Sequence, residues 1–370
     1  MYNGLSRLFG MAFGLPYEVC VIGMAVITCL YVVLGGYMAT VMNDFLQGIV
    51  MLFGIVAVIA AVILNNGGFS EAITTLSQIP AEGSQMAGPF VSMFGPDLFN
   101  LLGVVVLTSL GTWGLPQMVQ KFYAIKSGPA VKQGAIISTL FAFVVAGGSY
   151  FLGGFGRLYA DKIEIGPTGI PVYDSIIPTM LSTLPDILIG IVIVLVLSAS
   201  MSTLSSLVLT SSSTLTLDLL QGNVVKKMSE QSKLGWMRVL IVVFIIVSAA
   251  LALVQYNSSI TFIAQLMGIS WGALAGAFLG PFLWGLYSGR ISKAAVWCSF
   301  IVGVCLTSGN MVLTLMGTPL IASPINCGAL AMLLSLIIVP VVSLFTSALS
   351  SRSTRRTSRE PSTANTSRSW

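Results

Sequence analysis

Nine runs of apolar residues divide the chain, at 19–36, 45–64, 98–118, 135–154, 186–205, 238–254, 261–287, 294–316 and 325–347. A helix needs about 17 to 25 apolar residues to cross a bilayer, and each run meets that length. None shows the alternation of a lipid-facing barrel strand. A chain in hydrocarbon must satisfy its own backbone polar groups, so the runs predict helices and an all-α, polytopic membrane bundle. One transmembrane domain is expected over 1–349. Residues 350–370 are Ser, Thr and Arg without apolar period, which predicts a disordered tail.

The polar interruptions inside the runs carry more information than the runs. In "LLGVVVLTSLGTWGLPQMVQKFYAIKS" Gly111, Gly114 and Pro116 crowd the middle of the third span. Proline removes an internal hydrogen bond and clashes with the preceding turn, so the helix is expected to kink or unwind there. A broken span either packs around the kink or exposes backbone to a substrate. For the second role the candidate substrate-binding residues are Thr108, Thr112, Trp113, Gly114 and Gln117, which offer hydroxyls, a stacking face and an amide. Gly280-Pro281 predicts a second bend, suited to gating. In "GGYMATVMNDFLQG" Gly35 and Gly36 are expected to close one helix and Asn43-Asp44 to open the next, with Asp44 as its N-terminal cap or as an ion ligand.

The fifth span runs into "SASMSTLSSLVLTSSSTLTLD", residues 198–218, where Ser or Thr holds 12 of 21 positions. Ala199, Ser202 and Thr203 stand at i, i+3 and i+4, so one carbonyl and two hydroxyls fall on one side of one turn. Ser206, Thr210 and Ser213 extend that side. Two readings stay open: hydroxyls as glue between helices, or neutral oxygens for a hard monovalent cation, with the remaining hydroxyls as its path.

Composition narrows the classes. The 370 residues are 55% hydrophobic and 8% charged, against roughly 25% charged in soluble domains. Histidine is absent, which removes imidazole metal sites and the commonest proton relay. With no nucleophile elbow and no phosphate loop either, an enzyme is not indicated. Cys20, Cys29, Cys298, Cys305 and Cys327 lie in or beside apolar spans without ligand spacing and read as reduced packing residues. Fourteen of the 17 basic residues fall in alternate connections: Lys121, Lys126, Lys132; Lys226, Lys227, Lys233, Arg238; Arg290, Lys293; and Arg352, Arg355, Arg356, Arg359, Arg368. The positive-inside rule predicts those connections and the C-terminus to be cytoplasmic. The net charge of +5 therefore reports topology in a plasma membrane and not a nucleic-acid partner. Met1 to Pro16 lacks a basic leader and is expected to be the end of a helix that begins earlier.

Four stretches in this order, "LYVVLGGYMATVMNDFLQG", "GTWGLPQMVQKFYAIKS", "SASMSTLSSLVLTSSSTLTLDL" and "GPFLWGLYSGRISKAAVW", resemble the sodium:solute symporter family. The resemblance implies two inverted five-helix repeats that rock by alternating access, with the spans here matching core helices four to ten plus two extra. It implies sodium on the Ala199 carbonyl and the Ser202 and Thr203 hydroxyls, and a solute beside 98–118. It implies uptake of a small polar organic solute coupled to sodium, with no cofactor beyond the coupling ion and no obligate protein partner. Core helices one to three are matched only by a stub at 1–15, so a truncated, non-transporting remnant and a symporter-like sensor domain stand as alternatives. Thr108 and Thr112 occupy positions that are aromatic in the proline type, and Met42-Asn43 replaces the Trp-Thr that precedes the aspartate matched by Asp44.

Overall fold

In the computed structural model the described residues are 1–357 without 82–85, 87, 123–124, 126, 166–170, 226–227, 259–262 and 289–290. They fold into twelve α-helices: α1 (Tyr2–Phe13), α2 (Tyr17–Asn65), α3 (Phe69–Gln78), α4 (Leu98–Gly114), α5 (Pro116–Phe122), α6 (Gly128–Gly154), α7 (Ile176–Leu181), α8 (Asp186–Ser213), α9 (Glu230–Ser258), α10 (Ile263–Tyr287), α11 (Lys293–Leu315) and α12 (Pro324–Thr357). Among these residues there is one isolated β-bridge, Ile165 to Pro171, and no strand. Among the described residues, eight stretches are long and apolar enough to cross a membrane. The ninth expected span, 98–118, is split between α4 and α5 at Leu115, because Pro116 cannot continue the hydrogen-bond ladder.

The chain forms two compact units, Met1–Asp97 with Lys121–Ile263, and Leu98–Gln120 with the chain from Ala264 onward. In the first, α8 is the central helix. Ile55, Val58 and Val62 of α2 pack with Leu184 and Val192 near its start. Val21 and Met24 pack with Leu204, and Val32 packs with Val208. Along α2, the residues before the middle thus advance with α8 and those after it retreat along it. At 1.5 Å per residue a straight α2 would be far longer than α8, so the chain reverses direction between Val32 and Gly54. Two spans are present as expected, Tyr17–Gly35 and Asp44–Asn65, and Gly35, Gly36, Asn43 and Asp44 all fall within the helical range of α2.

In the second unit, α10 carries Gly268, Gly272, Gly276 and Gly280, one every fourth residue. Each meets backbone or a small side chain of α12: Ile325, Gly328, Ala331 and Ser335 in turn. Small residues at this spacing let two membrane helices approach closely. Pro281 lies inside α10, which runs on past it. The carbonyl that Pro281 leaves without an N–H donor is that of Ala277, four residues earlier. Ser299 Oγ of α11 donates to it at 3.1 Å, Ser299 and Ser335 hydroxyls are 2.8 Å apart, and Ser335 Oγ accepts the Gly280 N–H at 2.9 Å. Both serines are buried. Packed hydroxyls thus stand in for the hydrogen bond that Pro281 removes. At the other end of the unit's last helix, α12 continues through Thr357, past the expected tail boundary at 349. Residues 358–370 lie outside the described residues.

Candidate functional site

Four hydroxyls of α8 bond back to the helix's own carbonyls. Thr203 Oγ1 donates to the Ala199 carbonyl at 3.0 Å, Ser205 to Ser202 at 3.0 Å, Ser212 to Leu209 at 3.0 Å and Ser213 to Thr210 at 2.9 Å. Each hydroxyl proton is thereby committed to the backbone, and the oxygen's lone pairs remain as acceptors. An oxygen in that state offers a cation lone pairs without a competing proton. Ala199, Ser202 and Thr203 are partly buried, whereas Ser198, Ser200, Leu204 and Ser205 are buried. The structure thus keeps the three candidate ligands on one partly accessible side, with the Thr203 hydroxyl against the Ala199 oxygen. Ser206, Thr210 and Ser213 are likewise partly buried.

Two residues of this region were not legible as candidates. α8 continues as a wider π-helix over Thr214–Val224, in which Thr216 is fully buried and its Oγ1 has no hydrogen-bond partner among the described residues. Gln47 on α2 is buried with its Oε1 likewise without a partner. A side chain at Gly54 would run into Leu195, and this part of α2 is antiparallel to α8. An isolated polar residue in an apolar run carries no sequence signal for burial of this kind.

In the second unit the expected substrate set divides. Gly111 lies against Trp271 and Met332, and Gly114 lies so close to Ala275 and Leu279 that no side chain fits. Leu115 and Gln117 are also buried. Gly111 and Gly114 serve the contact with α10 and α12. Thr108 and Thr112 are partly exposed and bond back to Val104 at 2.8 Å and Ser109 at 3.1 Å, while Trp113 is 54% exposed. Pro116 opens α5, where a missing N–H costs nothing. The accessible part of the set is therefore Thr108, Thr112 and Trp113, and Gly114 is a packing residue.

A polar cluster at another place in the first unit was missed altogether. Asp174 accepts the backbone N–H of Ile263, at 3.2 Å to either oxygen, and the amide of Asn3 at 3.4 Å. Arg7 Nε donates to Asn3 Oδ1 at 3.0 Å, and its guanidinium lies 5.2 Å from the Tyr256 ring, which stacks on Tyr17 at 3.9 Å. Burial pushes the Asp174 carboxyl above its usual range, against the pull of the Ile263 N–H, Arg7 and Asn3. Its partners are up to 171 positions distant in sequence. Among the described residues no group of three or more His, Cys, Asp or Glu could hold a metal ion.

Against known proteins, the model of the family described as "Sodium:solute symporter family" matches residues 2–303. The chain is 29% identical over 308 residues to the sodium/pantothenate symporter of Escherichia coli, covering 82% of this chain and 60% of that protein. It is 26% identical over 309 residues to the sodium/proline symporter of Salmonella typhimurium, covering 80% and 58%. The chain thus spans about three fifths of the length of the curated relatives it matches. A solved structure of a Na+-coupled sialic acid symporter in a substrate-bound, outward-open state superposes with a TM-score of 0.62 at 18% identity, over 93% of this chain and 74% of that one. That likeness establishes a shared helical transporter fold.

Proposed function

The chain belongs to the sodium:solute symporter family, and from that premise we propose that it takes part in sodium-coupled uptake of a small polar organic solute across the plasma membrane. Sodium rests on the Ala199 carbonyl and the Ser202 and Thr203 hydroxyls. The observation that carries this is that Ala199, Ser202 and Thr203 share one partly accessible side of one turn, with the Thr203 hydroxyl proton committed to the Ala199 carbonyl so that the Thr203 oxygen is free to accept. Gln47, buried with its Oε1 unpartnered among the described residues, supplies a further neutral oxygen, and Ser206, Thr210 and Ser213 line the way out.

The solute binds at the interrupted span, with Trp113 as stacking face and Thr108 and Thr112 as hydroxyl partners. The relatives named for pantothenate and proline support a solute that is small and polar. Ion and solute each favour the state that binds the other, so each raises the other's affinity by one factor. The basic connections and the C-terminus face the cytoplasm. A neutral ion site carries one net charge inward per sodium, worth about 2.3 kcal/mol per 100 mV.

The test is uptake into proteoliposomes holding this chain. A panel of radiolabelled amino acids, carboxylates, sugars and vitamins is offered under an inward sodium gradient and under a matched potassium gradient. Uptake of at least one solute that needs sodium, and that Ser202→Ala with Thr203→Ala abolishes, supports the reading. Uptake indifferent to sodium, or unchanged in the double variant, refutes it.

A further inference from the structure

Apart from the hydroxyl helix and the interrupted span, the first unit holds a cavity of about 350 Å³ whose lining includes Phe69, Ile73, Leu76, Phe90, Phe151 and Gly154. That size falls within the range of small-molecule sites, roughly 300–1,000 Å³. The rings are ordered: Phe69 stacks on Phe151 at 6.3 Å and Phe151 meets Phe155 edge-on at 5.2 Å. The cavity sits where two spans end, between the close of α6 and α3, the short helix that follows α2. α3 is amphipathic, burying Ala72 and Leu76 while Ser70, Glu71 and Thr74 are not buried. A short helix of this kind beside the end of a span lies in the membrane interface, where aromatic residues collect.

One cation stands at the rim. Arg157, in the 3-10 turn that follows α6, holds its guanidinium 4.7 Å from the Phe90 ring. It is exposed and forms no ion pair with a carboxylate among the described residues. Glu71, the carboxylate on α3, is turned against Gly67 at the start of that helix. An apolar, ring-lined cavity at the bilayer surface with an uncompensated guanidinium above it matches a ligand with a hydrocarbon chain and an anionic head.

We infer that this cavity binds an anionic phospholipid, with an acyl chain among the phenylalanines and the phosphate on Arg157. The site rests on the membrane placement alone and not on sodium coupling, so lipid labelling and transport fail or succeed separately. Glycines separate filling from folding. Gly154 lines the cavity and a Cβ there meets nothing within 4 Å, so Gly154→Leu adds bulk at the cavity wall, and leucine favours helix over glycine. Gly153 is equally open but does not line the cavity, so Gly153→Leu is the control.

The experiment uses the full chain in phosphatidylcholine nanodiscs with phosphatidylglycerol carrying a diazirine on its acyl chain, followed by peptide mapping. Label is expected on the peptides holding Phe69 to Leu76 and Tyr150 to Phe155. Unlabelled phosphatidylglycerol should displace it at about fivefold lower concentration than phosphatidylcholine. Arg157→Gln should erase that preference and keep the label; Gly154→Leu should lose the label with either lipid, and Gly153→Leu should retain it. Label spread evenly over the spans, label that survives Gly154→Leu, or equal displacement by both lipids in the unaltered chain would overturn the proposal.

Discussion

The buried serines around Pro281 allow a double-mutant test with a worked magnitude. Pro281 denies the Ala277 carbonyl its helical donor, and Ser299 supplies the replacement at 3.1 Å. Ser299→Ala therefore strips a buried carbonyl of its donor, at a cost of about 1 to 3 kcal/mol. An ordinary hydrogen bond between membrane helices averages about 0.6 kcal/mol. We expect a loss near 2 kcal/mol, too large for an ordinary contact. Pro281→Ala restores an N–H four residues beyond Ala277, and in that background the same change should cost no more than about 0.6 kcal/mol. Equilibrium unfolding in mixed detergent micelles reads all four corners of the cycle. If Ser299→Ala costs the same in both backgrounds, Ser299 is not what replaces the N–H that Pro281 lacks.

Thr203→Val keeps the shape of the side chain and removes its oxygen, so the sodium concentration for half-maximal uptake should rise at least tenfold while Thr203→Ser leaves it unchanged. Gln47→Leu replaces a buried, unpartnered amide and should stabilise the chain in thermal unfolding while weakening sodium dependence; a change in stability alone would remove Gln47 from the ion site. Asp174 has a raised folded-state pKa, so the folded chain holds this proton more tightly than the unfolded one. Its contribution to stability is greatest below the usual carboxylate range and falls as pH rises through the raised value. Asp174→Asn, which can still accept the Ile263 N–H, should flatten that part of the pH–stability curve.

Local chemistry made several of these features legible. Pro116 announces the break at Leu115 because no tertiary context can return its N–H, and the spacing of Ala199, Ser202 and Thr203 places them on one turn in any α-helix. The four glycines from 268 to 280 were present as a period, yet their use depends on α12 offering small groups opposite. Gln47, Ser299 and the Arg7 to Asp174 cluster gain their meaning from partners distant in sequence, and no local pattern encodes a partner.

Equilibrium binding of radioactive 22Na+ to the purified chain, with and without the paired Ser202→Ala and Thr203→Ala changes, bears most directly on the sodium assignment. Saturable binding that excess unlabelled sodium displaces and potassium does not, and that vanishes in the double variant, is the predicted result. Binding of equal strength in both proteins would mean that the ion is held elsewhere.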